Sequence, residues 1–284
     1  MSLHNQTTEI IKKAKLRVKK RYGQNFLIDA FVLDKIMAAA NVCKDDYVVE
    51  IGPGIGHLTE RLAQSAGEVA AVEIDPDMLP VLRGRLAPYG NVRVINEDIL
   101  KTDLPALFSR PAKVTANLPY YIAADIVMTL LRGEYGLQNL VVMLQKEVAA
   151  RFCAIPGSKD YGALSVIAGY YAFAEIAANV PRNCFYPRPN VDSAVLRITP
   201  KKNLPLPPPE KEFMFRVVKA AFAKRRKTLV NCVVSEGISP SKAEAAKALK
   251  SAGFDENARG EALTLNDFTA VAKALRERAD LSRP

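Results

Sequence analysis

The sequence predicts an α/β protein: a doubly wound, mostly parallel sheet of about seven strands within residues 1–200, then a small all-helical domain over 201–284. Three observations carry this. From Tyr47 onward, short apolar runs alternate with longer stretches of helical spacing, the pattern of parallel strands joined by crossover helices. The first run ends in Glu50-Ile51-Gly52-Pro53-Gly54-Ile55-Gly56 and leads into a helix, so the chain turns on glycines where a ligand can approach its backbone. Over 201–210, Pro205, Pro207, Pro208 and Pro209 make a stiff connector at which continuous secondary structure should stop, and no strand signal follows it.

Taken in order, residues 1–11 are polar, give no element and read as a mobile end. Lys12, Lys13, Lys15, Arg17, Lys19, Lys20 and Arg21 follow with no acid between them, either a solvated arm or one that contacts phosphates. Gln24 and Asn25 lie just before a helix whose apolar positions are Phe31, Val32, Ile36 and Met37. Candidate strands are 47–51, 69–74, 92–96, 112–116 and 140–144; after Gly162 come the apolar stretches 163–171 and 172–180, and 193–198 is the last strand. Beyond the prolines, 213–222, 228–236, 241–251 and 266–277 show helical spacing, with Ser241 and Glu244 as a capping box and Gly253 as a stop.

The 284 residues, 49% hydrophobic, suffice for a large core and a smaller second domain. A formal charge of +10 favours an anionic partner, and nucleic acid is the commonest one for a basic protein of enzyme size. Cys43, Cys153, Cys184 and Cys232 are far apart, with only His4 and His57 to join them, so the expectation is no metal site, no disulfide framework and a reducing, cytoplasmic setting. No apolar run reaches the roughly 20 residues of a membrane span, so no membrane is expected. The basic stretch 12–21 reads as part of the mature chain rather than a leader.

Candidate chemistry gathers at strand ends. Glu50, Glu73 and Asp98 close successive strands and face the crevice in which open parallel sheets bind ligands. Glu73 falls nearly twenty residues beyond Gly54, the spacing at which an acid accepts both hydroxyls of a ribose. Asp98 serves equally well as a helix cap. The glycine loop suits a nucleotide-like cofactor, although His57 stands where a dinucleotide fingerprint needs a further glycine. After the run 112–116 comes Asn117-Leu118-Pro119-Tyr120-Tyr121. Pro119 holds Leu118 extended and so aims its carbonyl, and Asn117 adds an amide oxygen. Two adjacent acceptors suit an amino group, and Tyr120 offers a ring on which a base can stack; an ordinary turn with packed tyrosines is the competing reading. Phe185 sits among Pro181, Pro187 and Pro189, in a loop that either presents the ring or plugs a corner of the core. Lys224, Arg225, Arg226 and Lys227 form either a solvated helix end or a contact to an RNA backbone.

Gln-Asn-Phe-Leu at 24–27, Glu-Ile-Gly-Pro-Gly-x-Gly at 50–56, Val-Glu-Ile-Asp at 72–75, Asn-Leu-Pro-Tyr at 117–120 and Phe-Tyr-Pro-x-Pro-x-Val-Asp-Ser at 185–193 occur in one order. In this the chain resembles the class I S-adenosylmethionine-dependent rRNA adenine N6-dimethyltransferases, from residue 12 to about 278. The resemblance implies a Rossmann-like methyltransferase domain with S-adenosylmethionine as cofactor. It implies that Asn25, Leu27 and Gly52 contact the methionine end of the cofactor, Glu73 its ribose and Asp98 its adenine, with Gln24, Glu50, Gly54, Ile74 and Ile99 completing that set. Asn117 is implied to lie between cofactor and target base, Asn117 and Leu118 to hold the amino group, and Tyr120 and Phe185 to sandwich the adenine. The basic residues Lys19, Lys20, Arg21, Lys224, Arg225, Arg226 and Lys227 become expected RNA contacts. The implied substrate is two adjacent adenines in the hairpin loop near the 3′ end of small-subunit (16S) rRNA, presented on an assembling subunit to a monomeric enzyme. Three rivals remain: a large-subunit rRNA dimethyltransferase of the macrolide-resistance type, a non-catalytic assembly factor, and a nicotinamide-dependent oxidoreductase. The Gly-Pro-Gly turn, Asn-Leu-Pro-Tyr and the 222–227 segment argue against the first.

Overall fold

The computed structural model describes residues 2–19, 22–224 and 226–281. The polar beginning of the chain is a helix, α1 (Leu3–Lys13), capped by the Ser2 side chain, which accepts from the Asn5 N–H. It is no free end: Thr7 is fully buried, and Ile10 and Ile11 pack against a cluster that contains Met78 and Leu82. The buried face is built partly on a threonine, which hides it from a reading based on apolar periodicity.

The chain continues through β1 (Phe26–Leu27), α2 (Ala30–Ala40), β2 (Tyr47–Ile51), α3 (His57–Ser65), β3 (Glu68–Val72), α4 (Leu79–Leu86), β4 (Val92–Ile95), α5 (Leu104–Leu107) and β5 (Ala112–Asn117). Then come α6 (Ala123–Arg132), β6 (Leu137–Gln145), α7 (Lys146–Cys153), α8 (Ala163–Tyr171), β7 (Ala172–Val180), β8 (Phe185–Tyr186) and β9 (Ser193–Pro200). Seven strands form one sheet in the order β4-β3-β2-β5-β6-β9-β7. β2 pairs in parallel with β3 on one side and β5 on the other, and β6 pairs antiparallel with β9. All five residues of β2 are buried, as a central strand covered on both faces requires. The strand order reverses at β2, so the carboxyl ends of β3, β2 and β5 open a crevice, the usual ligand position in such sheets.

Four helices end the chain: α9 (Pro208–Ala223), α10 (Leu229–Ser235), α11 (Lys242–Ser251) and α12 (Leu265–Leu281). The expected connector over 201–210 is shorter than its prolines suggest. Pro208 and Pro209 occupy the first turn of α9, where a missing N–H costs nothing because that group has no partner within the helix. Ser241 caps α11, its Oγ accepting from the Glu244 N–H at 3.2 Å, and Gly253 follows the helix at φ +85°.

The chain divides into two compact units, Met1–Ala149 with Phe173–Pro200, and Ala150–Ala172 with Lys201–Pro284. Residues 150–172, expected in the first domain, thus group with the C-terminal helices. Tyr170 and Tyr171 of α8 pack against Phe215 of α9, with ring centroids 5.2 and 5.8 Å apart, a contact made across the strands that intervene in sequence. No helix among the described residues is long and apolar enough to cross a membrane.

Candidate active site

The loops that leave β2, β3 and β5 build one cleft in the sheet unit. After β2 the chain turns through positive φ at Gly52 (+72°) and Gly54 (+57°). At Gly54 an added Cβ would stand 3.2 Å from two ring carbons of Phe26, so backbone is all the space admits. The Gly54 N–H donates to Glu73 Oε2 at 3.0 Å, and the Asp75 N–H donates to Glu73 Oε1 at 2.8 Å. Each of those oxygens keeps a further lone pair for a ligand hydroxyl. Burial pushes the Glu73 carboxyl up to about 7. Glu50, near the end of β2, is 2% exposed and its Oε2 has no hydrogen-bond partner. Burial, reinforced by the charge of Glu73, pushes it up to about 8. An acceptor so placed suits a ligand that brings N–H or O–H donors.

Asn117 ends β5, and its Nδ2 donates to the Asn25 carbonyl at 2.9 Å. The Asn25 amide in turn donates to the Gly23 carbonyl at 3.0 Å. With its nitrogen committed, the Asn117 side chain keeps its oxygen as an acceptor. Leu118 is buried, and its N–H donates to the Met143 carbonyl at 3.1 Å, which anchors the start of the loop on β6. The Ile122 N–H returns to the Pro119 carbonyl at 3.2 Å and closes a turn. Of the two tyrosines in that turn, Tyr120 is half-buried with its hydroxyl 2.7 Å from Ser193 Oγ, and Tyr121 is 66% exposed.

Gln24, Asn25, Leu27, Glu50, Gly52, Gly54, Glu73, Ile74 and Asn117 all line this cleft, joined by His57. Asp98, Ile99, Leu118, Tyr120 and Phe185 lie outside its lining. Asp98 Oδ1 accepts from the Leu100 N–H at 3.1 Å within a turn; it caps no helix, since α5 is capped by Asp103, and Ile99 is buried beside it. Phe185 does not present its ring. β8 pairs antiparallel with β1, Leu27 opposite Phe185, and the ring, 3% exposed, packs in the same core cluster as Leu27, Leu33 and Val180.

A family model described as ribosomal RNA adenine dimethylase matches residues 15–277. The chain belongs to that family. Its relatives include the ribosomal RNA small subunit methyltransferase A of Lachnoclostridium phytofermentans, 46% identical over 280 residues that cover 96% of this chain and 97% of the other. The protein of that name from Levilactobacillus brevis is 47% identical over 279 residues, with coverage of 95% and 94%. Among solved structures, a dimethyladenosine transferase from Plasmodium falciparum matches with a TM-score of 0.77 at 26% identity, covering 88% of this chain and 97% of that one. The 23S rRNA methyltransferase ErmE matches with a TM-score of 0.70 at 27% identity, covering 89% and 100%.

Two polar networks of this dimethylase escape a reading of its sequence. Lys19 Nζ lies 2.6 Å from Asp75 Oδ1 and 2.6 Å from Asp77 Oδ2, and Gln24 donates to the other Asp75 oxygen at 2.7 Å while accepting from the Lys19 N–H at 2.8 Å. Lys19, expected on an RNA phosphate, is committed instead to holding the basic arm against the loop after β3. Lys20 and Arg21 lie outside the described residues. An acid just before Pro76 is a capping signal, and it could have marked Asp75 as structural. In the second network the His57 Nε2 is 2.9 Å from Thr7 Oγ1 and its Nδ1 is 2.9 Å from Arg85 Nη2. Arginine can only donate, so Nδ1 accepts and Nε2–H donates to the threonine. Burial, then the Arg85 charge, pushes the ring's pKa down to about 4 and keeps it neutral.

Proposed function

We propose that this dimethylase transfers methyl groups from S-adenosylmethionine to N6 of two adjacent adenines in the 3′-terminal hairpin loop of small-subunit rRNA, acting in the cytoplasm as a monomer on an assembling subunit. One observation carries the choice of subunit: 46% and 47% identity over nearly the whole chain to relatives named for the small subunit, against 27% to the 23S rRNA methyltransferase.

The cleft suits the cofactor. S-adenosylmethionine offers an ammonium group and ribose hydroxyls as donors and supplies a methyl group activated by sulfonium. Against these stand the two acceptor oxygens of Glu73, the unpartnered Oε2 of Glu50 and a glycine turn that leaves backbone bare. Glu73 is assigned to the ribose. Asn25, Leu27 and Gly52 are assigned to the methionine end with Gln24, Glu50 and Gly54, and Ile74, Asp98 and Ile99 to the adenine side. Adenine N6 is a poor nucleophile because its lone pair is conjugated with the ring. The Asn117 oxygen and the Leu118 carbonyl accept its hydrogens, localise that pair and aim it along the transfer direction. Tyr120, fixed by Ser193, supplies the stacking face. With Phe185 buried in the core, a sandwich of the adenine requires the β8 corner to move.

Lys224, Arg226 and Lys227 are exposed in the turn after α9 and are assigned to the RNA backbone, with Arg225 outside the described residues. Lys19 is withdrawn from that set. Lys19→Ala is expected to lower thermal stability and leave the slope of log K against log salt for RNA binding unchanged, whereas a lost phosphate contact reduces the slope by about one.

The reading is tested by incubating the purified protein with S-adenosylmethionine and unmethylated small ribosomal subunits, digesting the RNA and quantifying nucleosides by mass spectrometry. N6,N6-dimethyladenosine is the expected product. Product on large-subunit RNA alone points to the resistance type. No product on either, with S-adenosylhomocysteine still stabilising the protein, points to the non-catalytic assembly factor.

A further inference from the structure

We infer that Tyr121 is the platform on which the nucleotide next to the target adenine stacks, which makes it a positioning residue for the RNA. The inference rests on the function proposed above. An adenine drawn out of its strand leaves its neighbour without a stacking partner on one side, and proteins that read unpaired RNA supply an aromatic face at such places. Tyr121 is built for this. Its ring is 66% exposed, although the residue beside it, Tyr120, is half-buried and tied to Ser193.

Beneath the turn that carries the ring there is room only for a glycine. Gly23 approaches the turn so closely that a Cβ on it would meet Pro119 Cβ at 2.9 Å and Tyr121 Cε1 at 3.8 Å, and Gly23 adopts φ +58° to do so. Gly23 and Pro119 both line the cleft, so Tyr121 stands on its rim. The two tyrosines are neighbours in sequence on the turn closed by the Ile122 N–H and the Pro119 carbonyl, one following the Asn117-Leu118 acceptors and one at the rim. Two consecutive rings therefore serve two consecutive bases. The contact is made by a face rather than by the hydroxyl, so phenylalanine replaces it and alanine does not.

The test is the initial rate of methyl transfer to unmethylated small subunits at saturating S-adenosylmethionine, for wild type, Tyr121→Ala and Tyr121→Phe, with S-adenosylhomocysteine thermal shifts measured alongside. Tyr121→Ala is expected to raise KM for the subunit roughly tenfold, kcat staying within about twofold, and Tyr121→Phe to match wild type. The inference is overturned by an unchanged KM in the alanine variant, by a phenylalanine variant as impaired as alanine, or by loss of the S-adenosylhomocysteine shift in Tyr121→Ala, which makes the role structural. A wild-type protein that forms no dimethyladenosine overturns the underlying function instead.

Discussion

Asn117→Ala is expected to slow both methyl transfers a hundredfold to a thousandfold, roughly what the loss of one preorganised hydrogen-bonding group at a reacting centre costs. The expectation follows from how the side chain is held. Its nitrogen is committed to the Asn25 carbonyl at 2.9 Å, which leaves its oxygen as the free acceptor of the amide. Alanine removes the acceptor and leaves the β5 backbone as it is. The first transfer loses one of two groups that localise the N6 lone pair. In the second, the monomethylated amine has one N–H left, and without Asn117 only the Leu118 carbonyl can take it. Mono- and dimethyladenosine should therefore fall together, and mass spectrometry of single-turnover products checks this. Because Asn117 also lines the cofactor cleft, stabilisation by S-adenosylhomocysteine is the companion measurement and should fall only a few-fold in affinity terms. Wild-type yields of both products would sink the assignment. Asn117→Asp separates the two ends of the amide: it keeps an acceptor but faces the Asn25 carbonyl with an oxygen, and that repulsion should loosen the loop.

The parts of this molecule that were legible in the sequence are those set by local pattern and by topology. β2 falls where its apolar run lies, because a strand buried on both faces must be apolar throughout. The cleft residues from Glu50 to Glu73 and Asn117 follow from it, since strand ends in a doubly wound sheet converge wherever the order reverses. What escaped depends on partners distant in sequence. Whether Phe185 faces out or in is decided by its pairing with Leu27 on β1, and nothing near Phe185 records it. Lys19 reads as one more basic residue until Asp75, 56 residues on, is folded beside it. The helix α1 is hidden for a related reason: its Thr7 can be buried because His57, 50 residues on, donates a hydrogen bond to its hydroxyl. Pro208 and Pro209 misled in the opposite direction, since the local rule that prolines break structure yields to the rule that they open helices.

Glu50→Gln is expected to stabilise the ligand-free protein above pH 8 and to do little or slight harm near pH 5. The wild-type carboxyl is raised from an ordinary 4.5 to about 8 by burial, which the nearby Thr59 hydroxyl only partly offsets, and by the charge of Glu73; its Oε2 makes no hydrogen bond of good geometry. A carboxyl raised in the native state contributes its full stability below the unfolded value and loses it as pH climbs to the folded one, because unfolding then releases a proton that the native state retains. The affected window runs from 4.5 to about 8. At about 1.4 kcal/mol per pH unit the cost at the top of that window is on the order of a few kcal/mol, some 5–10 °C in Tm for a chain of this size. Glutamine has nearly the same shape and no charge, so its curve should be flatter by that amount. Comparing variant with wild type at each pH isolates Glu50 from two neighbours. Glu73, raised to about 7, keeps its own slope in both proteins. His57, lowered to about 4, acts in the opposite sense, destabilising the fold as pH falls below its ordinary 6.5. Parallel Tm curves from pH 5 to 9 would mean that Glu50 ionises freely in the folded chain. A difference that opens between pH 5 and 8 would mean that the cleft stores an unfavourable charge, which a cofactor bearing an ammonium group can relieve. The same variant should then lose S-adenosylhomocysteine affinity where it gains stability.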